Sequence, residues 1–316
     1  LRRRQRQMCI RDRSTPVTAL PVVTRSLCGF LVINKPAGCT SHDCVSKARR
    51  ALGTRKVGHG GTLDPAVTGV LPLAVGPATR LLPYLEGSKE YTGTIQLGLR
   101  TNSDDLSGTV LEQQPWPQLS QAELEQGLQA FRGLIQQRPP AVSAVHVDGE
   151  RAHTRARRGE QLLLPSRPVT IEQLLLRRWD PATGQLEIDL RCSAGTYVRS
   201  LARDLGDQLG CGGALAQLQR TAALGFKLED SLPLEALGQD TTLLDPLEAL
   251  DHIASQQLND EQWLAWTRGQ KLPLQLPEQP DDSPLVMLRP DGSLAGMART
   301  RSDGLLQPKL VFDAAG

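Results

Sequence analysis

The chain has 316 residues, 39% hydrophobic and 22% charged, with a formal net charge of +2 at pH 7. That length can bury a full core, and the ordinary composition points to a globular protein with one large domain and a smaller one. No apolar run approaches the roughly 20 residues that a bilayer-crossing helix needs, so no membrane partner is expected.

The first thirteen residues, LRRRQRQMCIRDR, carry six arginines against Asp12. A basic arm for nucleic acid is one reading. However, QMCIRDR reads like a translated sequencing-adapter end, so residues 1–13 are set aside as non-native and 14–27 are taken as a flexible N-terminal segment. That arm holds a net +5, which leaves about −3 for the rest, so global charge gives no argument for RNA or DNA. Cys9 lies in the arm, and the remaining five cysteines are scattered, as suits reduced thiols in the cytoplasm. Cys39 and Cys44 lie near His42 and His59, but no C-x-x-C pair supports zinc, and no metal is expected.

In chain order, GFLVIN at 29–34 reads as a strand. Thr40 or Ser41 then caps a helix with apolar positions Val45, Ala48 and Leu52, ending at Gly53. VLPLAVG is a short buried strand. EYTGTIQL alternates, with Tyr91, Gly93, Ile95 and Leu97 on one face, and so is a half-buried strand. SQAELEQGLQAF carries a capping box at Ser120 and Glu123, a staple from Leu119 to Leu124, and a core face of Leu124, Leu128 and Phe131. Residues 138–168, rich in proline and arginine, are expected to be irregular and exposed. QLEIDLRC is a strand leading into SAGTYVRS and a helix lined by Leu201, Leu205 and Leu209, which ends at GCGG. LVMLRPDGSLAGMA reads as a hairpin with Asp291–Gly292 at its turn, and with LQPKLVF it suggests a small C-terminal β module. The order mixes strands and helices without strict alternation, so the fold class is α+β with a central mixed or antiparallel sheet.

The stretch GHGGTLDPAVTG, residues 58–69, holds one carboxylate, Asp64, among residues with almost no side chain. An Asp-Pro step also fits a helix N-cap with proline at the first helical position, a purely structural use. The glycines favour function, because Gly58, Gly60 and Gly61 let another chain approach closely. A carboxylate beside Leu63 needs a cation to keep it ionised. Tyr197 and Arg199, two apart where a strand ends, would share a face, and the guanidinium would hold Asp64 through a two-point contact.

GHGGTLDPAVTG, KEYTG, SAGTYVRSLARDLG and INKPAG in this order closely resemble the TruB branch of the pseudouridine synthases, over about residues 28–227. That family isomerises uridine 55 in the T-loop of tRNA. The resemblance implies that Asp64 is the nucleophile and that Tyr91 stacks on the target base. It further implies that Tyr197 and Leu218 line the uracil pocket, Arg199 pairs with Asp64, and His59 supports the flipped-out nucleotide. Lys35 and Pro36 belong to the first motif and would brace the active-site loop, with Lys35 also counted on the substrate side. The resemblance divides the chain into a catalytic domain at 28–235 and linker helices plus a small PUA-like, RNA-binding module at 236–316. The expected partner is the tRNA T-arm, bound by a monomer, with no cofactor.

Turning uridine into pseudouridine needs no redox change, in keeping with the lack of a P-loop or dinucleotide motif. The base must be everted, at a cost of a few kcal/mol, offset by phosphate contacts. Lys35, Lys47, Arg49, Arg50, Arg55 and Lys56 form one basic group for this, and Arg151, Arg155, Arg157, Arg158 and Arg167 a second. Tyr91 is a candidate base for the last proton removal. Three positions depart from the family pattern: His146, His153 and Asn102. An RNA-binding or RNA-folding protein with secondary catalysis is the rival reading. A retaining glycosidase would need two facing carboxylates.

Overall fold

The computed structural model describes residues 27–143, 146–147, 150–151, 158, 164–277 and 279–312. The expectations for residues 1–26, and those for His153, Arg155 and Arg157, lie outside the described residues, as do the side chains of His146 and Arg151.

A ten-stranded mixed sheet organises most of the chain. Its strands are β1 (Gly29–Lys35), β2 (Val57–His59), β3 (Thr68–Val75), β4 (Lys89–Leu97), β5 (Gly133–Gln137), β6 (Arg167–Asp180), β7 (Gln185–Cys192), β8 (Gly213–Ala223), β9 (Phe226–Lys227) and β10 (Leu232–Pro233). The order is β10-β1-β3-β8-β4-β7-β6-β5, with β2 on β3 and β9 on β8. β8 runs parallel to β3 and antiparallel to β4, so it joins two halves that otherwise share no ladder among the described residues. The fold is α+β.

Helices α1 (Ser41–Ala51), α2 (Gln121–Gln129) and α3 (Val198–Gln208) pack on one face of this sheet. Thr40 is the N-cap of α1, with Asp43 completing a capping box, and α1 buries Cys44, Val45 and Ala48. The Ser120–Glu123 box starts α2 as its sequence predicts, although the helix ends at Gln129, before Phe131. Leu201 and Leu205 of α3 are fully buried against Ile95, Leu186 and Ile188.

β1 alternates between two cores because both of its faces are covered. Leu31 and Ile33 join the helical side, whereas Phe30 and Val32 join a second cluster with Val70, Leu81, Phe226, Val286 and Phe312. Those last contacts bring in a five-stranded sheet: β11 (Ser255–Gln257), β12 (Leu272–Pro273), β13 (Pro284–Leu288), β14 (Leu294–Thr300) and β15 (Leu305–Val311). Its own core surrounds Trp266 of helix α4 (Asp260–Thr267), whose indole donates to the Ala295 carbonyl at 3.0 Å. The β13–β14 hairpin turns at Gly292, φ +83°, where Asp291–Gly292 predicts it.

Three local expectations are corrected. The Asp-Pro step starts no helix: Asp64 enters a turn whose Val67 amide donates to the Asp64 carbonyl at 3.0 Å, and its side chain is free to point elsewhere. Tyr197 and Arg199 do not share a strand face, because Tyr197 is the N-cap residue of α3 and Arg199 is already helical. The 138–168 segment is not simply exposed, since Pro139, Pro140, Ser143 and Leu164 are buried.

Gly69 marks the tightest crossing of the two halves. Its φ is +102°, and a Cβ there would stand 2.1 Å from the Arg220 carbonyl oxygen on β8. Gly69→Ala is therefore expected to destabilise the fold by ~3 kcal/mol or more, read from a urea unfolding midpoint. An unchanged midpoint would mean that β3 and β8 do not approach this closely.

Candidate active site

The 58–69 stretch runs from the end of β2 through a loop at 60–67 into the start of β3, and that loop is fixed on both sides of its acid. Ser41 Oγ, buried at the start of α1, accepts from the Leu63 amide at 2.9 Å and donates to the Leu63 carbonyl at 3.2 Å. Pro65, the next residue after the acid, is held through its carbonyl by the Gly38 amide at 2.9 Å and Lys35 Nζ at 3.2 Å. Backbone that is tied down immediately before and after Asp64 leaves only the side chain to orient, which favours a preorganised site.

That side chain meets Arg199. Asp64 Oδ2 lies 2.9 Å from Arg199 Nε, with the arginine side chain 7% exposed and the aspartate 43%. The expected two-point contact is absent, because the rest of the guanidinium is engaged elsewhere. Nη1 donates to the Ser103 carbonyl at 2.9 Å and Nη2 to the Val142 carbonyl at 3.0 Å. These carbonyls fix the guanidinium plane, so Nε alone faces the acid. Asp105 Oδ2 stands 3.8 Å from the same Nε, a second carboxylate that the sequence reading did not place here.

Around Asp64 lies a cavity of about 230 Å³, lined by Leu63, Tyr91, Tyr197 and Leu218 together with Lys89 and Arg199. Among the described residues, Asp64 is the one carboxylate on that lining, which disfavours glycoside hydrolysis by a carboxylate pair. Tyr91 comes from β4 and Leu218 from β8. Tyr197 is half-buried at the start of α3, its backbone held at both N–H and C=O by the buried Gln137 amide at 2.8 and 3.1 Å. The first turn of α3 lines the same cavity and adds the positive end of a helix.

Tyr91 is 8% exposed, and burial lifts its phenol above the ordinary range despite the opposing pull of the Arg220 guanidinium beside it. A phenol in that state is protonated at neutral pH, which is unfavourable for the proton-accepting role considered for it. Arg220 itself was not singled out in the sequence. It is fully buried on β8, directly opposite Tyr91 in the ladder, and donates from Nε to the Val70 carbonyl at 2.8 Å and from Nη2 to the Gly61 carbonyl at 3.2 Å. It thereby ties the glycine loop to β3 and to the aromatic wall. Among the described residues its buried Nη1 makes no hydrogen bond of ordinary geometry, and it lies on the Tyr91 side of the loop.

Other expected site residues fall differently. His59 does not line the cavity; its Nδ1 accepts the Gly61 amide at 3.3 Å, and burial lowers its pKa, which keeps the ring neutral. Lys35 is corrected: it is fully buried, and its ammonium donates to the carbonyls of Pro36, Cys39 and Pro65 at 2.9, 2.7 and 3.2 Å. It braces the loop from inside and is unavailable to a phosphate. Within the same basic group, Arg49 Nη2 donates to the Val57 carbonyl at 3.0 Å, while Arg50, Arg55 and Lys56 are exposed. Arg158 and Arg167 of the second group are also exposed. Asn102 accepts the Thr109 amide at 2.9 Å and closes the loop that carries Ser103 and Asp105.

Comparison with known proteins fits this geometry. A family model described as "TruB family pseudouridylate synthase (N terminal domain)" matches residues 49–198. A tRNA pseudouridine synthase B of Parasynechococcus marenigrum (strain WH8102) is 61% identical over 289 residues, covering 91% of this chain and 98% of the relative. The chain belongs to the TruB family of pseudouridine synthases. A second family member, from Synechococcus sp. (strain WH7803), is 56% identical over 297 residues with the same coverage. Among solved structures, a chain of an H/ACA ribonucleoprotein bound to a substrate RNA containing 2'-deoxyuridine aligns with a TM-score of 0.67 at 21% identity. That alignment covers 90% of this chain and 85% of the other, a likeness of fold. As a TruB-family pseudouridine synthase, the protein is an isomerase.

Proposed function

We propose that the protein converts uridine 55 in the T-loop of tRNA into pseudouridine. The observation that carries this reading is the Asp64 carboxylate, 2.9 Å from a carbonyl-clamped Arg199 and facing a cavity with Tyr91, Tyr197 and Leu218 on its walls. The everted uridine enters this cavity, Tyr91 stacks on its base, and Tyr197 and Leu218 close around the ring so that the detached uracil cannot escape. Asp64 acts on the ribose or the base as the carbon–nitrogen bond breaks, and the uracil rotates to present carbon 5 to the sugar. His59 supports the nucleotide indirectly, through the shape of the glycine loop.

Exposed Arg50, Arg55 and Lys56 lie in the segment that leads into the catalytic loop and are suited to phosphate contacts that offset the cost of base eversion. We take residues 28–235 as the catalytic unit, and 236–316 as a module that helps grip the T-arm.

The test is to incubate the protein with an unmodified tRNA transcript and map pseudouridine by position. A single modified site at position 55 is expected. Binding of the transcript without any isomerised uridine would favour an RNA-folding role instead.

A further inference from the structure

Lys89 opens β4 two residues before Tyr91, so the two side chains point to one face of the strand. It lines the same cavity as Asp64 and Tyr91, and its Nζ lies 3.8 Å from the position a Cβ would take at Gly61. Among the described residues, no hydrogen bond or ion pair engages that ammonium. Burial, reinforced by the Arg220 charge, lowers its pKa. Asp64 pairs with Arg199, and among the described residues no ion pair joins it to Lys89. The side chain is partly buried and no protein acceptor holds its ammonium among the described residues, so its donors are available to an acceptor on the bound substrate.

The chemistry supplies one. When the bond between N1 and the ribose breaks, its electron pair stays on N1 and spreads onto the adjacent carbonyl oxygen of the ring. Whether Asp64 attacks the ribose carbon or removes a ribose proton, the base departs in that form. We propose that the Lys89 ammonium is a catalytic residue that donates to this carbonyl oxygen and stabilises the uracil anion within the cavity. The inference rests on the uridine-isomerising reading above. Carbon 5 then bonds to the sugar, a proton leaves carbon 5 and one is taken up at N1, so the sequence balances without oxidant or reductant. A donor fixed where charge develops stabilises the transition state more than the bound substrate, and removing one typically slows turnover by ~10²–10³-fold.

The experiment compares the parent protein with Lys89→Met and Lys89→Gln on two transcripts, one with uridine and one with 5-fluorouridine at the target position. Fluorine makes N1 of the free base more acidic, so the departing anion depends less on an external cation. Single-turnover loss of the N-glycosidic linkage is read by digestion and mass spectrometry, and tRNA affinity is measured separately. For Lys89→Met we expect a fall of roughly 10²-fold on uridine, a loss at least tenfold smaller on 5-fluorouridine, and affinity within a few-fold of the parent. Lys89→Gln, which keeps a neutral donor on a side chain one bond shorter, should fall between the parent and Lys89→Met. Equal losses on both transcripts would overturn the proposal. So would weakened binding with an unchanged rate at saturation, because that describes a phosphate contact. A parent protein that forms no pseudouridine on the uridine transcript sinks the functional reading and this one together, whereas an active parent with an unselective Lys89→Met loss sinks this one alone.

Discussion

Asp64→Asn is expected to abolish pseudouridine formation, by roughly 10⁴-fold or more, while tRNA affinity stays within a few-fold of the parent's. The replacement keeps the shape of the side chain and leaves its supports in place. Ser41 still holds Leu63, while Lys35 and Gly38 still hold Pro65. What disappears is the only carboxylate on the cavity lining among the described residues. An amide neither attacks the nucleotide nor accepts a proton from it, so the loss falls on the chemical step. Quantifying pseudouridine under single-turnover conditions beside a filter-binding titration separates the two effects. A variant that binds poorly yet turns over normally once saturated would remove Asp64 from the reaction.

Arg199→Lys should slow turnover by roughly 10²–10³-fold and lower stability by about 1–3 kcal/mol, although the charge is retained. The guanidinium reaches three acceptors in three directions: Ser103 O, Val142 O and Asp64 Oδ2. A single ammonium cannot serve all of them, so at least one buried carbonyl is left unpaired and the carboxylate loses its fixed neighbour. Rate measurements at saturating tRNA, together with a denaturant melt, test both halves of the expectation. Near-normal rates would mean that positive charge alone suffices and that the clamp on the guanidinium plane is dispensable.

Much of this site was legible in the sequence because its parts lie on strongly patterned segments. The alternation of Tyr91, Gly93, Ile95 and Leu97 identifies β4, and the Ser120–Glu123 box identifies α2. The glycine-flanked Asp64 stands out because a carboxylate between Leu63 and Pro65 has no local partner. β8 was missed because GALAQLQRTAA is rich in Ala, Leu and Gln, which favour helix, and is made a strand only by neighbours on both sides. Arg220 and Lys89 escaped for a related reason: the sequence shows an arginine and a lysine, but their burial is decided by other strands and by the glycine loop, none of them adjacent in sequence. The Arg199 geometry was misread because TYVRS looks like the end of a strand, although the helix has already begun at Val198. Asp105 was passed over because DD in a turn sequence reads as solvated.

The position of β8 also sets an order of events during synthesis. Asp64 is on the half of the sheet built from β1 and β3, and Tyr91 on the half built from β4 and β7; among the described residues, β8 alone joins them by ladders. A nascent chain that has not yet released residues 213–223 from the ribosome holds two unconnected sets of strands with open edges. Such edges are sites for wrong pairing until the bridging segment arrives. Asp64 and the aromatic wall are therefore brought together in one late step, so a chain cut short before Gly213 would lack both the joined sheet and the cavity between them.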